Sequence, residues 1–157
     1  MDEVAYFETV SEVLESWERV KRMPSYDEKL GVALFTRLFE VAPDGGWEIM
    51  PWTKADFDAK DAKFLKFAKS FVRMLDMAID MLGPDLEIVE EQMYELGVSH
   101  GKYGVLPMHF EHMGKALDFV LQDMLQDLYK PSTKKAWTSV YRFITTTMIQ
   151  GSVGFCR

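Results

Sequence analysis

One segment of the sequence, Leu96-Gly97-Val98-Ser99-His100-Gly101-Lys102-Tyr103-Gly104-Val105, carries a histidine on the apolar face of a predicted helix. Val89, Met93, Leu96 and His100 follow one another at intervals of four, three and four residues. Side chains with this spacing share one face of a helix. A histidine on such a face is most often a hydrogen-bonded core residue, so spacing alone does not identify His100 as a ligand.

The composition predicts one globular domain spanning residues 1–157. Hydrophobic residues make up 48% and charged residues 27% of the chain, which excludes a disordered segment. The net charge is -7 and no Lys/Arg cluster forms the basic stripe that phosphate binding requires, so we expect no nucleic-acid partner. Cys156 is the only cysteine, which excludes an internal disulfide and a cysteine-based metal site.

The first residues and the hydropathy of the chain predict its location. Met1-Asp2-Glu3-Val4 lacks the basic and apolar regions of a signal peptide. The sequence contains no apolar run of about 18 residues, the length that spans a bilayer. We therefore expect a cytoplasmic protein without a membrane partner.

Prolines divide the chain into segments, because proline breaks helix interiors but fits first turns. In six segments apolar residues recur every three or four positions, and no segment shows the alternation of a strand. The sequence therefore predicts an all-α fold with six main helices. The prolines are Pro24, Pro43, Pro51, Pro84, Pro107 and Pro131.

Capping patterns predict where the first two helices begin. Thr9 and Glu12 have the spacing of a capping box, which predicts a first helix over residues 8–22. Ser25 and Glu28 repeat that spacing before the second helix. Residues 44–54 contain glycines and a proline, which favour short corner helices over a regular helix.

The segment around His100, followed by Pro107 and Phe110, resembles the proximal-histidine segment of globins. The resemblance covers residues 8–150 and is to single-domain haem globins of the neuroglobin and phytoglobin type. It implies the globin fold, in which six main helices and short corner helices surround a haem pocket. Further points of resemblance are Trp17, Leu38-Phe39-Glu40 before Pro43, and Ala136-Trp137 with Tyr141.

The resemblance implies that the chain holds haem b through His100. A proximal histidine binds iron with one ring nitrogen while an acceptor holds the N–H of the other. The carbonyl of Leu96 and the hydroxyl of Ser99 are the two candidate acceptors. Leu96 is also expected to pack beneath the porphyrin. The residues implied to line the haem edge are Tyr103, Val105, Phe110 and Met113.

The place where the second and third long helices cross predicts which side chain faces the iron's open coordination position. In globins the second and third long helices cross at small residues, and Gly31 and Ala68 occupy those places. Phe67 then stands where many globins carry a distal histidine. The other aromatic residues expected on this side are Phe35, Phe64 and Phe71. This departure from the usual globin pattern predicts an atypical, apolar distal pocket.

Aromatic hydrocarbon rings donate no strong hydrogen bond to a gas. A distal donor stabilises bound O2 by about 1–3 kcal/mol, so we expect O2 to leave about ten- to hundredfold faster than from a pocket that has one. CO and NO are less polar when bound and are expected to be less affected. The pocket therefore predicts weakened discrimination in favour of O2.

Two alternatives stay open on this distal side. A register slip of one residue would bring Lys66 over the iron, where a neutral amine would ligate it. Counting from Pro43 puts Ile49 against the haem at the corner, whereas an insertion would bring Trp52 there. An indole N–H from Trp47 or Trp52 would then supply the missing donor.

The resemblance implies a protein that reversibly binds O2, CO or NO at a pentacoordinate or weakly hexacoordinate iron. Gas sensing and O2 binding are the expected roles, and a sensor would signal to a C-terminal effector domain in a longer chain. A haem enzyme with peroxidase, nitrite reductase or NO dioxygenase activity is the alternative, disfavoured because the rings offer no acid or base. His109 and His112 have the spacing with which two histidines bind one divalent metal ion, but this signal is weaker than the one for a haem.

Overall fold

The computed structural model describes residues 3–83 and 86–155. Over these residues the chain forms six α-helices, two short 3-10 helices and no strand, which confirms the predicted all-α architecture. None of these helices has the length and hydropathy needed to cross a bilayer. The α-helices are α1 (Glu3–Lys21), α2 (Tyr26–Val41), α3 (Ala62–Asp80), α4 (Leu86–Lys102), α5 (Pro107–Leu125) and α6 (Pro131–Phe155); the 3-10 helices are Pro43–Ile49 and Gln126–Leu128.

The two predicted capping boxes are wrong. Helix α1 begins at Glu3, so the pattern at residues 9–12 lies inside the helix rather than at its start. Ser25 precedes α2 with a φ of 54°, and its side chain makes no capping hydrogen bond. The Asp27 carboxylate accepts the backbone N–H of Glu28 instead, at 2.8 Å. The expected helix break at Pro84 lies outside the described residues.

Two buried tryptophans join three helices in the core. The rings of Trp17 on α1 and Trp137 on α6 meet at an angle of 63°, with centroids 5.9 Å apart. The Trp137 indole N–H donates to the Ser16 hydroxyl at 2.7 Å, and the Trp17 indole N–H donates to the Asp76 carboxylate on α3 at 2.7 Å. The indoles of Trp17 and Trp137 therefore both have an acceptor within the protein, as buried donors in a stable core require.

Glycines allow α4 and α6 to cross with their backbones in contact. A Cβ atom added at Gly97 would lie 2.0 Å from the Met148 carbonyl oxygen, and one added at Gly151 would lie 2.2 Å from the Tyr94 carbonyl oxygen. Gly101, one turn beyond Gly97, shows the same close approach to α6. No larger residue fits these positions unless the helices separate. The helix that carries the predicted ligand is thus held against the C-terminal helix.

Candidate functional site

His100 lies in the last turn of α4 with its ring orientation fixed by the backbone. Its Nδ1 atom is 2.8 Å from the carbonyl oxygen of Leu96. A carbonyl only accepts, so Nδ1 carries a proton, and in the neutral form of the ring the free lone pair is on Nε2. Ser99 is exposed and its hydroxyl approaches the Glu95 carbonyl at 3.4 Å. Of the two candidate acceptors, the structure therefore selects the Leu96 carbonyl.

The remaining residues predicted on this side divide between core and surface. Phe110 is buried, and its ring centroid is 5.9 Å from that of His100. Leu96, Val105 and Met113 are half-buried against the main core. Tyr103, in contrast, is 77% exposed. The structure thus brings the Phe110 ring close to His100, while a place at the haem edge for Tyr103, Val105 and Met113 stays a prediction.

The crossing of α2 and α3 has the register that the sequence predicts. A Cβ atom added at Gly31 would lie 2.6 Å from the carbonyl oxygen and 2.9 Å from the Cβ of Ala68. These two small residues therefore form the crossing contact, and Ala68 is fully buried. Lys66 and Ser70 are exposed, which does not support the slipped register that would bring Lys66 inside.

Five aromatic side chains assemble beside this crossing, and we call them the aromatic cluster: Phe35, Phe64, Phe67, Phe71 and Trp52. Phe35 is its centre, with ring centroids 5.0 Å from Phe67, 5.1 Å from Phe71 and 6.3 Å from Phe64. Phe67 remains 36% exposed despite these contacts. The structure therefore gathers the predicted distal residues around one apolar surface that the protein covers only in part.

At the corner, the structure places Trp52 rather than Ile49 against the predicted distal residues. The Trp52 ring meets Phe67 edge-on at 5.3 Å and Phe64 edge-on at 5.5 Å. Ile49 ends the 3-10 helix Pro43–Ile49 and is half-buried, and it is not among the described hydrophobic residues that form or pack against the protein core. Trp47 instead stacks on Phe39, with centroids 3.9 Å apart.

A buried histidine connects the corner to the start of α5. His109 accepts the Leu106 backbone N–H at Nδ1 (2.8 Å), so its Nε2–H donates to the Glu48 carboxylate at 3.0 Å. The pKa of Glu48 lies below its usual value because its own backbone N–H and the His109 side chain stabilise the carboxylate. Both His109 nitrogens are thus occupied, which disfavours a metal pair with His112.

A family model described as Globin matches residues 32–148. The chain belongs to the globin family. It is 30% identical over 125 residues to a neuroglobin of Tetraodon nigroviridis, covering 77% of each chain, and 28% identical over 145 residues to a neuroglobin of Danio rerio, covering 88% of this chain and 87% of that one.

The fold of this globin is also that of a solved structure. The crystal structure of a hexacoordinated heme protein from an anhydrobiotic tardigrade superposes with a TM-score of 0.80 and 23% sequence identity. The match covers 92% of this chain and 93% of that chain. The predicted globin fold is confirmed.

The side chains of this globin fit a haem. His100 offers one imidazole whose Nε2 has no hydrogen-bond partner among the residues that the structure describes. A metal-binding histidine needs this arrangement, with one nitrogen held by an acceptor and the other available. The aromatic cluster offers a partly exposed apolar surface of the kind that a flat macrocycle buries.

Two contributors to the site were not predicted from the sequence. Phe57 packs edge-on against Phe64 at 4.8 Å and extends the aromatic cluster toward the corner. The contact between Glu48 and His109 joins residues 61 positions apart. Local spacing carries no signal for such a pair, and Phe57 lies just beyond residues 44–54, the segment that was predicted to form the corner.

Proposed function

We propose that this globin binds haem b through His100 and reversibly binds a diatomic gas, O2, CO or NO. The observation that carries the proposal is the fixed tautomer of His100, because the Leu96 carbonyl holds Nδ1–H and leaves Nε2 for iron. When bound, the haem iron supplies the coordination position at which the gas is held. The family membership of the chain and its likeness to neuroglobins support the proposal.

In this proposal three phenylalanines of the aromatic cluster shape the gas pocket. Phe35, Phe67 and Phe71 have contacting rings on α2 and α3, and they exclude water without offering a proton. Peroxide cleavage is helped by a distal acid or base, which these rings lack, so gas binding is favoured over enzymatic turnover. Lys66 is exposed, which favours an iron whose sixth position is empty or only weakly occupied.

Gas sensing in the cytoplasm is the biological role that we favour over O2 storage. The hydrocarbon rings of Phe35, Phe67 and Phe71 offer O2 no hydrogen bond, so they admit O2, CO and NO alike, and retention of O2 depends on a donor outside these three rings. A sensor also requires that ligand binding alter a surface. We expect ligand binding to change the oligomeric state or to act on a C-terminal effector in a longer chain. Sedimentation with and without CO measures the change in oligomeric state.

The absorption spectrum tests the proposal of gas binding. The haem-loaded protein is recorded oxidised, reduced, reduced with CO, and again after CO is removed under vacuum. We expect the reduced spectrum to shift on addition of CO and to return on its removal. A reduced spectrum that neither CO nor O2 changes would show that the iron has no coordination position open to a gas, and it would overturn the proposal. Rapid steady turnover of peroxide would favour the enzyme instead.

A further inference from the structure

Trp52 has a buried hydrogen-bond donor without an acceptor. Its indole Nε1 is buried and has no partner among the described residues. The buried indoles of Trp17 and Trp137 donate to Asp76 and Ser16, each at 2.7 Å. Buried donors in native proteins are almost always paired, so an exception calls for an acceptor from outside the chain.

The surroundings of Trp52 explain why the chain offers no acceptor there. Three phenylalanine rings contact the indole: Phe67 at 5.3 Å, Phe64 at 5.5 Å and Phe57 at 6.2 Å. None of these side chains carries an oxygen or nitrogen atom. The Trp52 N–H therefore remains unpaired unless a molecule with an acceptor atom enters the aromatic cluster.

The position of this donor separates it from the other fully buried side-chain nitrogens without a partner in the described part of the chain. Those belong to Arg37, whose guanidinium lies 3.8 Å from the centroid of the Phe119 ring, and to His112 on α5. Neither is in the aromatic cluster. Trp52, in contrast, contacts Phe67, the residue that the crossing of Gly31 and Ala68 places nearest the expected gas.

We propose that the Trp52 indole N–H donates a hydrogen bond to O2 held beside Phe67 and thereby sets the preference of this globin for O2 over CO. The inference rests on the proposed function, since it requires a haem-held gas. Trp52 then supplies the donor that the phenylalanine rings lack. A haem carboxylate is the other oxygen acceptor, but it is charged and favours solvent, whereas Nε1 is fully covered.

The kinetic test compares Trp52→Phe, which keeps an aromatic ring but removes the donor, with the unmodified protein. We expect the O2 dissociation rate to rise about ten- to hundredfold, the effect of losing one hydrogen bond, while CO dissociation changes by less than about threefold. Trp52→His restores a ring N–H, and we expect it to recover part of the slow O2 release. An unchanged O2 rate in Trp52→Phe, with a normal haem spectrum, overturns the inference.

Indole NMR gives a readout that does not depend on ligand kinetics. In protein labelled with 15N-tryptophan, the Trp52 indole signal is identified by its loss in Trp52→Phe. We expect it to move downfield when CO is replaced by O2, whereas the signals of Trp17 and Trp137, which have acceptors in the protein, stay in place. A Trp52 signal that is identical in both complexes contradicts the proposal.

Reconstitution with haem dimethyl ester separates the two oxygen acceptors. The ester removes the carboxylate charges and leaves the gas position unchanged. If Trp52 donates to O2, the kinetic effect of Trp52→Phe persists with the ester. If that effect disappears, the carboxylate is the acceptor and the inference is wrong, while gas binding stands. A wild-type protein that takes up no haem would instead overturn the proposed function itself.

Discussion

Replacing Gly97 by alanine tests how α4 is held against α6. The added Cβ would lie 2.0 Å from the Met148 carbonyl oxygen, and normal contact begins near 3.4 Å, so the two backbones must separate by 1.4 Å, the difference between these distances. Overpacking of this kind costs about 1–3 kcal/mol, and a backbone neighbour cannot rotate away, which favours the upper value. The better helix propensity of alanine offsets about 1 kcal/mol. We expect a net loss of about 2 kcal/mol.

Urea unfolding of the haem-free protein measures this loss without assuming a cofactor. Gly154→Ala on α6 is the matched control, because the nearest atom to its added Cβ is the Tyr94 hydroxyl at an ordinary 3.5 Å. We expect Gly154→Ala to be neutral or to stabilise by up to about 1 kcal/mol. Gly97→Ala with the same stability as this control would refute the reasoning. In the haem-loaded protein, displacement of His100 along with α4 should also accelerate haem loss.

Three further predictions concern the pocket and the corner. Phe67→His, made together with Trp52→Phe so that a single donor is present, should slow O2 dissociation about ten- to hundredfold relative to Trp52→Phe alone in stopped-flow experiments. An O2 dissociation rate that is not slowed would show that residue 67 does not lie beside the bound gas. The pKa of Glu48 is lowered in the folded protein, so its carboxylate stabilises the fold above its ordinary pKa of 4.5, and this stabilisation is lost as the pH falls through the lowered pKa. Chemical unfolding should therefore show that Glu48→Gln is less stable than wild type at neutral pH and that the difference disappears in acid. A difference in stability that does not change with pH would contradict this. Tyr141→Phe removes a buried hydroxyl that donates to the Phe110 carbonyl, and thermal unfolding should report a loss of about 0.5–1.5 kcal/mol; unchanged stability would show the bond to be unimportant.

The all-α fold was predictable from local spacing, whereas the globin fold and the helix crossing were predictable only through the resemblance of the sequence to globins. Apolar residues at helical spacing mark the buried face of each helix, and Gly31 and Ala68 lie where α2 and α3 approach, since a Cβ added at Gly31 would be only 2.6 Å from the Ala68 carbonyl oxygen. The tautomer of His100 was predictable in part, since a carbonyl four residues back is a standard acceptor in a helix. The choice between the Leu96 carbonyl and the Ser99 hydroxyl as the acceptor of His100 follows only from the three-dimensional structure.

The helix starts and the corner were harder to predict, for different physical reasons. A capping box adds only about 0.5–2 kcal/mol and does not fix the start of α1, which extends past Thr9 to Glu3, where Tyr6 packs against the core and donates to the Gly83 carbonyl at 3.1 Å. At the corner, Trp52 and Ile49 are both apolar, and only the path of the irregular chain after the 3-10 helix decides which of them reaches Phe64. No periodicity constrains such a segment.

Titration of the haem-free protein with haemin, followed at the Soret band, tests most directly the claim that His100 holds the iron. The comparison is between wild type, His100→Gly and the matched control His112→Gly, each with and without added imidazole. We expect wild type and His112→Gly to saturate at one haemin per chain with the same spectrum. His100→Gly should bind haemin weakly with an altered band, and imidazole should restore the wild-type band. A wild-type spectrum in His100→Gly without imidazole would contradict the claim.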